Sequence, residues 1–248
     1  MRFKPLQRHL AKLITPLLLI GSTVLPMSAS AQSTQVFFDD FTAKGSLGSA
    51  WQVSSWVNGH PFGCTFSTQD VSVNKSLLTL SFSGNSGKCA EVRTVKSWQY
   101  GSFSVSMKPA NVAGTVSSFF LYTGVAGTST HYEIDIEFLG GSNILHTNYW
   151  LAGQQYPLDI DLSTLGINPY KSLRKYGYSW TSTGIAWYVM TDAGQWLQLR
   201  QVAVPAMPAM QLMMNAWYGD NLDTALQFPG YYAGQAGSAQ YDSVSISQ

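Results

Sequence analysis

Residues 131 to 142 read His-Tyr-Glu-Ile-Asp-Ile-Glu-Phe-Leu-Gly-Gly-Ser, which sets Glu133, Asp135 and Glu137 at every second position with apolar residues between them. In a strand, side chains at i, i+2 and i+4 share one face. Ile134, Ile136 and Phe138 are therefore expected in a core, with three carboxyl groups lining the opposite surface. A fold gains little from such a row, because adjacent like charges raise one another's pKa and disfavour the ionised state. Cleavage of a glycosidic bond gains much: it needs one carboxylic acid to protonate the leaving oxygen and one carboxylate to attack or to activate water. Taken alone, the row is equally compatible with a solvated strand face or with a site for calcium or magnesium.

The elements that position these acids come from the rest of the chain. Arg2, Lys4, Arg8 and Lys12 form a basic start, Leu13 to Leu25 is largely apolar, and Ala29-Ser30-Ala31 offers a small-residue cleavage site. This pattern predicts a secretory signal peptide over residues 1–31, cut before Gln32. Pro16 and the short apolar stretch argue against a membrane anchor, which needs roughly 20 apolar residues. The expected mature chain, residues 32–248, is an exported soluble protein of one domain, extracellular or periplasmic, with a monomer as the default state. It carries ten Lys and Arg against thirteen Asp and Glu, a formal charge of −3. Nucleic acid and anionic membranes are poor partners for that balance, and a neutral polymer fits better. Cys64 and Cys89 are the only cysteines. In an oxidising compartment they read as a disulfide, with a pair of buried thiols as the alternative.

Short alternating runs separated by Gly, Pro, Ser and Asn clusters recur along the mature chain, and helical periodicity is nearly absent. Strands are expected at 77–82, 102–107, 116–122, 133–139, 144–150, 185–190, 196–202, 210–217 and 241–246. Two antiparallel sheets packed as a β-jelly-roll sandwich, of the concanavalin A-like kind, accommodate so many strands in one domain. The strands at 144–150 and 210–217 bring His146, Asn148, Trp150, Asn215 and Trp217 toward the wet face. Strand-centre Asn is disfavoured unless its amide finds partners.

The uninterrupted Glu133-Ile-Asp-Ile-Glu137 followed by Phe138-Leu139-Gly140 comes after Met107-Lys108-Pro109-Ala110 and Gly114-Thr115-Val116-Ser117-Ser118-Phe119-Phe120. With these segments the chain resembles family sixteen of the glycoside hydrolases over nearly all of its mature length. Within that family it is most similar to the bacterial lichenases, endo-β-glucanases that cut mixed-linkage β-1,3-1,4-glucan. Laminarinase branches usually carry an extra residue before the second Glu. The resemblance implies that Glu133 is the nucleophile, Glu137 the general acid and base, and Asp135 an auxiliary acid that tunes the nucleophile. A retaining mechanism sets its carboxyl groups about 5–5.5 Å apart, whereas Cα atoms four residues apart on a strand are separated by roughly 13 Å. Spacing therefore leaves retention and inversion open, and the retaining reading comes from the resemblance.

The same resemblance implies that Trp56, Asn58 and Phe62, in the loop leading into Cys64, contact sugars. Glu91 and Arg93, which follow Cys89, would bond glucose hydroxyls, with a surface salt bridge across a strand as the alternative. Tyr122, Asn148, Asn215 and Trp217 match cleft residues, and Cys64 and Cys89 match a disulfide pair. Asp242 matches one ligand of a structural calcium; no cofactor is implied for catalysis. Departures from the lichenase pattern are His131-Tyr132 where Trp-Asp is usual, Trp150 in place of a smaller aromatic, a shorter segment from Gly153 to Asp161, and little match from Tyr218 to Gly237. A His before the catalytic motif is more familiar from plant xyloglucan transglycosylases, and Ile144-Leu-His-Thr-Asn148 leans the same way. His131 is expected to position Glu133 or a sugar hydroxyl. Three readings follow: an endo-β-glucanase of lichenase type, a xyloglucan or β-glucan transglycosylase, and a glucan-binding protein without chemistry.

Overall fold

A computed structural model describes residues 33–42, 46–222 and 228–248. The expected signal peptide lies outside the described residues. Two sheets account for the strands. One contains β15 (Trp196–Ala203), β14 (Gly184–Met190), β13 (Arg174–Trp180), β7 (Gly101–Lys108), β17 (Gly237–Ser247), β5 (Leu77–Phe82) and β4 (Val71–Asn74) in that order, with β1 (Gln35–Asp39) also paired to β17. The other contains β11 (Gln154–Gln155), β10 (Ile144–Leu151), β9 (Tyr132–Leu139), β8 (Thr115–Thr123), β16 (Met210–Tyr218), β6 (Lys88–Trp98) and β2 (Trp51–Val53), with β12 (Leu158–Asp161) on β10 and β3 (Thr65–Phe66) on β6. Pairing is antiparallel except between β3 and β6. Among the described residues the helical content is two short 3-10 turns, at Thr68–Asp70 and Leu162–Leu165. The protein is the all-β jelly-roll sandwich expected from its sequence.

Period-two patterning builds the core. Ile134, Ile136 and Phe138 of β9 are fully buried, facing Phe103, Val105 and Met107 of β7 and Tyr176, Tyr178 and Trp180 of β13 within one cluster. Each such side chain contributes about 1.5–3 kcal/mol when removed from water. All nine expected strands occur, extended by a residue or more at most ends. The longest one missed is β6, whose centre from Cys89 to Val92 is buried on both faces. Alternation is erased where both faces are covered. The other long omission, β13, has Gly177 at its middle, and a Cβ there would lie 2.4 Å from the Phe103 carbonyl oxygen. Glycine weakens the strand signal while permitting that close approach.

Two polar contacts cross the core to fix the strands under the acids. The Trp187 indole N–H of β14 donates to the Asp135 carbonyl at 2.9 Å. The Tyr241 hydroxyl of β17 donates to the carbonyls of Ser118 (2.9 Å) and Asn215 (3.1 Å). Arg200 of β15 clamps the sandwich edge, donating to the Thr147 and Tyr156 carbonyls, both at 2.9 Å, while lying over the Tyr149 and Trp187 rings.

Candidate active site

Cross-strand register decides what surrounds each acid. Glu133 stands opposite Trp150 of β10 and Tyr122 of β8; Asp135 opposite Asn148 and Phe120; Glu137 opposite His146 and Ser118. The outer face of this sheet carries a cleft of about 460 Å³. Glu133 and Glu137 line it, with Tyr122, His131 and Trp150 at one side and Trp56, Asn58 and Phe62 at the other. Glu91, Asn215 and Trp217 also reach the cleft. The structure thus brings eleven of the fourteen catalytic and sugar-binding residues expected from the sequence to one surface. Arg93, Asp135 and Asn148 stand behind it.

Each of those three has a local reason. Asn148 is buried, its Oδ1 accepts the Tyr156 N–H at 3.2 Å, and its side chain bonds Asp135. It is a partner of the central acid rather than an open sugar ligand. Arg93 places its guanidinium 4.8 Å over the Trp56 ring, which braces the aromatic wall. A desolvated cation on a Trp face is a favourable contact. Glu91 does not pair with Arg93 in a salt bridge: its oxygens accept from Ser54 Oγ at 2.7 Å and Asn215 Nδ2 at 3.1 Å. Burial raises its carboxyl to about 7 against the lowering effect of those bonds. Trp217 is buried and packs 4.1 Å from Phe62, ring to ring, so it supports the wall as much as it lines the cleft.

The loop that holds Trp56, Asn58 and Phe62 is tied at its end by the Cys64–Cys89 disulfide, with Cα atoms 5.8 Å apart. Phe66 beyond it packs edge-on against both Trp56 and Phe62. The cysteine pairing expected from the sequence is therefore present.

The three acids differ in environment. Asp135 is fully buried and held well above the usual carboxylate range, first by burial and then by the charges of Glu133 and Glu137. Its Oδ1 has no donor. A proton on Asp135 resolves that deficit by donating to Glu133. Glu137 is pushed up to about 8 by burial, with the charges of Glu133 and Asp159 adding to it. Glu133 instead accepts a hydrogen bond of 2.6 Å from His131 Nε2. One carboxyl kept protonated near neutrality beside another that receives donors is the asymmetry acid–nucleophile chemistry needs.

His146, expected on the wet face but without a role there, and Asp159, which the sequence did not point to, are neighbours of Glu137. His146 Nδ1 meets Asp159 Oδ1 at 2.5 Å, and Nε2 is buried without a partner. His146 was visible as a same-face neighbour of Asn148, two residues away. Asp159 had no signal, because β12 is a four-residue strand whose pairing with β10 alone brings it near.

The protonation of Glu137 has a measurable effect on stability. Above pH 4.5 the unfolded chain releases this proton while the folded protein keeps it up to about pH 8. Stability then falls as pH rises through that window. Glu137→Gln removes the penalty, so the variant is expected to exceed the parent by roughly 1–3 kcal/mol at pH 8 and to match it near pH 4.5. Thermal unfolding at the two pH values reads the difference, and equal curves at pH 8 would contradict the protonated state.

Asp242 sits where β17 shifts register, between Tyr241 and Ser243, and accepts from Ser243 Oγ at 3.3 Å. Among the described residues no three His, Cys, Asp or Glu side chains converge as a metal group. Side chains alone thus do not make a calcium site there.

A jelly roll with two glutamates of one strand at the floor of an aromatic cleft and an aspartate buried between them is the architecture of a carbohydrate-cleaving β-sandwich. A family model described as glycosyl hydrolases family 16 matches residues 58–234, and the chain belongs to that family. It is 35% identical over 223 residues to a beta-glucanase of Bacillus licheniformis, covering 88% of each chain. A beta-glucanase of Paenibacillus polymyxa is 34% identical over 216 residues, 85% of this chain and 87% of the relative. Among solved structures, a prokaryotic beta-1,3-1,4-glucanase (lichenase) from a mouse hindgut metagenome superposes with a TM-score of 0.73 at 30% identity, covering 86% of this chain and 98% of that one.

Proposed function

We propose that the protein is an exported, monomeric, retaining endo-β-glucanase that hydrolyses mixed-linkage β-1,3-1,4-glucan. The observation that carries this reading is the paired state of Glu133 and Glu137 in one cleft: one carboxyl receives hydrogen-bond donors and the other holds its proton to about pH 8. Glu137 protonates the glycosidic oxygen while Glu133 attacks the anomeric carbon, forming a glycosyl ester. Water, giving its proton to Glu137, then displaces the sugar from Glu133. Asp135 donates its proton as a hydrogen bond to Glu133 and keeps the nucleophile oriented. Aromatic faces of Trp56, Tyr122 and Trp150 suit the CH faces of glucose rings, and the amides of Asn58 and Asn215 suit their hydroxyls. The beta-glucanase relatives support the substrate class. Catalysis in this reading uses no cofactor. Calcium enters only as a structural ion at Asp242, with backbone carbonyls as its remaining ligands.

Product analysis on barley mixed-linkage glucan, laminarin and xyloglucan oligosaccharides tests the reading, with Glu133→Gln run in parallel. Short oligosaccharides from mixed-linkage glucan alone, absent with the variant, are expected. Products longer than the xyloglucan or laminarin supplied would replace hydrolysis by transglycosylation, for which Trp150 stacked on His131 at 4.4 Å supplies an acceptor platform.

A further inference from the structure

His131 is 3% exposed and lies against Glu133, yet neither acid–base step uses it. Its backbone is fixed from both sides: its N–H donates to Thr128 at 3.0 Å, and its carbonyl accepts from Gly153 at 3.0 Å. The turn that delivers it starts at Gly124, whose left-handed backbone (φ 90°) lies so close to Thr130 that a Cβ would come 1.8 Å from the Thr130 carbonyl. The ring is sandwiched, 4.4 Å from Trp150 and 5.2 Å from Tyr122 between centroids. Its two nitrogens then face different partners. Nδ1 accepts the Gly127 N–H at 3.2 Å, and Nε2 meets Glu133 Oε2 at 2.6 Å. A nitrogen that accepts from an amide carries no proton, so the hydrogen-bond network assigns the imidazole proton to Nε2. The imidazole therefore donates to Glu133.

We propose that His131 is a positioning residue that acts through Glu133 to speed release of the sugar from the glycosyl–enzyme intermediate. This rests on the reading of Glu133 as nucleophile. With Oε2 held by His131, Oε1 is the oxygen that attacks the anomeric carbon, and Oε2 becomes the carbonyl oxygen of the resulting ester. In the second step the bond between the anomeric carbon and Oε1 breaks as the water oxygen bonds that carbon. The electron pair returns to the Glu133 carboxylate, and the water proton goes to Glu137. Negative charge grows on Oε2 along this path, so the His131 N–H strengthens its bond as the transition state is reached. Such differential stabilisation accelerates the step. In the first step the carboxylate loses charge, and the same hydrogen bond gives no comparable help. The aromatic sandwich and the Gly127 amide keep the donor aimed throughout.

The test compares His131→Phe, which keeps a flat ring between Trp150 and Tyr122 but has no donor, with His131→Gln, whose amide restores an N–H at similar reach. The substrate is an aryl β-glycoside of a mixed-linkage trisaccharide with a dinitrophenolate leaving group, followed in the steady state and in the first turnover. For His131→Phe, kcat is expected to fall at least tenfold with KM falling in parallel, kcat/KM to stay within about threefold, and a burst of dinitrophenolate to precede the slow phase. His131→Gln is expected to recover most of kcat. A loss of kcat/KM as large as the loss of kcat, with no burst, overturns the proposal and leaves His131 as packing. Equal kinetics of the Gln and Phe variants overturns it as well. Mass spectrometry of the parent enzyme trapped with a slow fluorinated glycoside separates the two levels: a label on any residue but Glu133 removes the nucleophile assignment itself.

Discussion

Replacing Glu133 with Gln is expected to abolish turnover of β-glucan, a fall in kcat of about 10⁴-fold or more, while the far-ultraviolet and thermal signatures of the fold persist. The side chain keeps its size, but an amide is neither a nucleophile nor a leaving group, so no ester forms. Glu137→Gln is expected to lose less, about 10²–10⁴-fold on polysaccharide, the range a positioned proton donor supplies. The two variants part further on an aryl glycoside whose leaving group needs no proton. There the Glu137 variant forms the ester readily and stalls, and the Glu133 variant stays silent. Activity of either variant near the parent level on glucan would remove the paired-carboxyl mechanism. The asymmetry originates in the surroundings, because both residues are Glu on one face of one strand. Burial and two neighbouring charges hold the proton on Glu137, whereas Glu133 faces the His131 N–H.

Opening the Cys64–Cys89 bond is the second large effect. The bond closes a 25-residue separation, and such a closure is worth about 3 kcal/mol through the unfolded chain. Cys64→Ser with Cys89→Ser is expected to lower Tm by roughly 6–12 °C for a domain of this size. Function is affected at a distinct place. The loop carrying Trp56, Asn58 and Phe62 ends at Cys64, and Cys89 lies two residues before Glu91, so the bond ties one cleft wall to β6. At a temperature where the variant is still folded, KM is expected to rise severalfold with kcat nearly kept, since the acids on β9 are held by other contacts. Calorimetry and steady-state kinetics with and without reductant measure both. An unchanged KM would mean that the aromatic contacts of Phe66 with Trp56 and Phe62 hold that wall without the disulfide.

The acid row and its core-facing partners were legible because a period of two is a local property: Ile134, Ile136 and Phe138 are buried as alternation demanded. Most strands were legible for the same reason. Partner identity was not. Asn148 looks like a sugar-binding amide from its place in the sequence, and only the β9–β10 register, which sets it across from Asp135, turns it into that acid's support. Glu91 and Arg93 suggest a salt bridge or two sugar ligands. Pairing of β6 with β16 instead puts Asn215 beside Glu91, and Arg93 is drawn over Trp56.

By itself, the sequence determined an all-β sandwich, nine of its strands, the disulfide pair and the row of three acids, because residue type, alternation and turn chemistry act over a few neighbouring positions. The tertiary structure decided which acid keeps its proton and which receives a hydrogen bond. Those properties depend on burial, on the Asp159 charge that β12 brings beside Glu137 and on the His131 N–H that the loop before β9 aims at Glu133, and tertiary packing delivers each of them to the site.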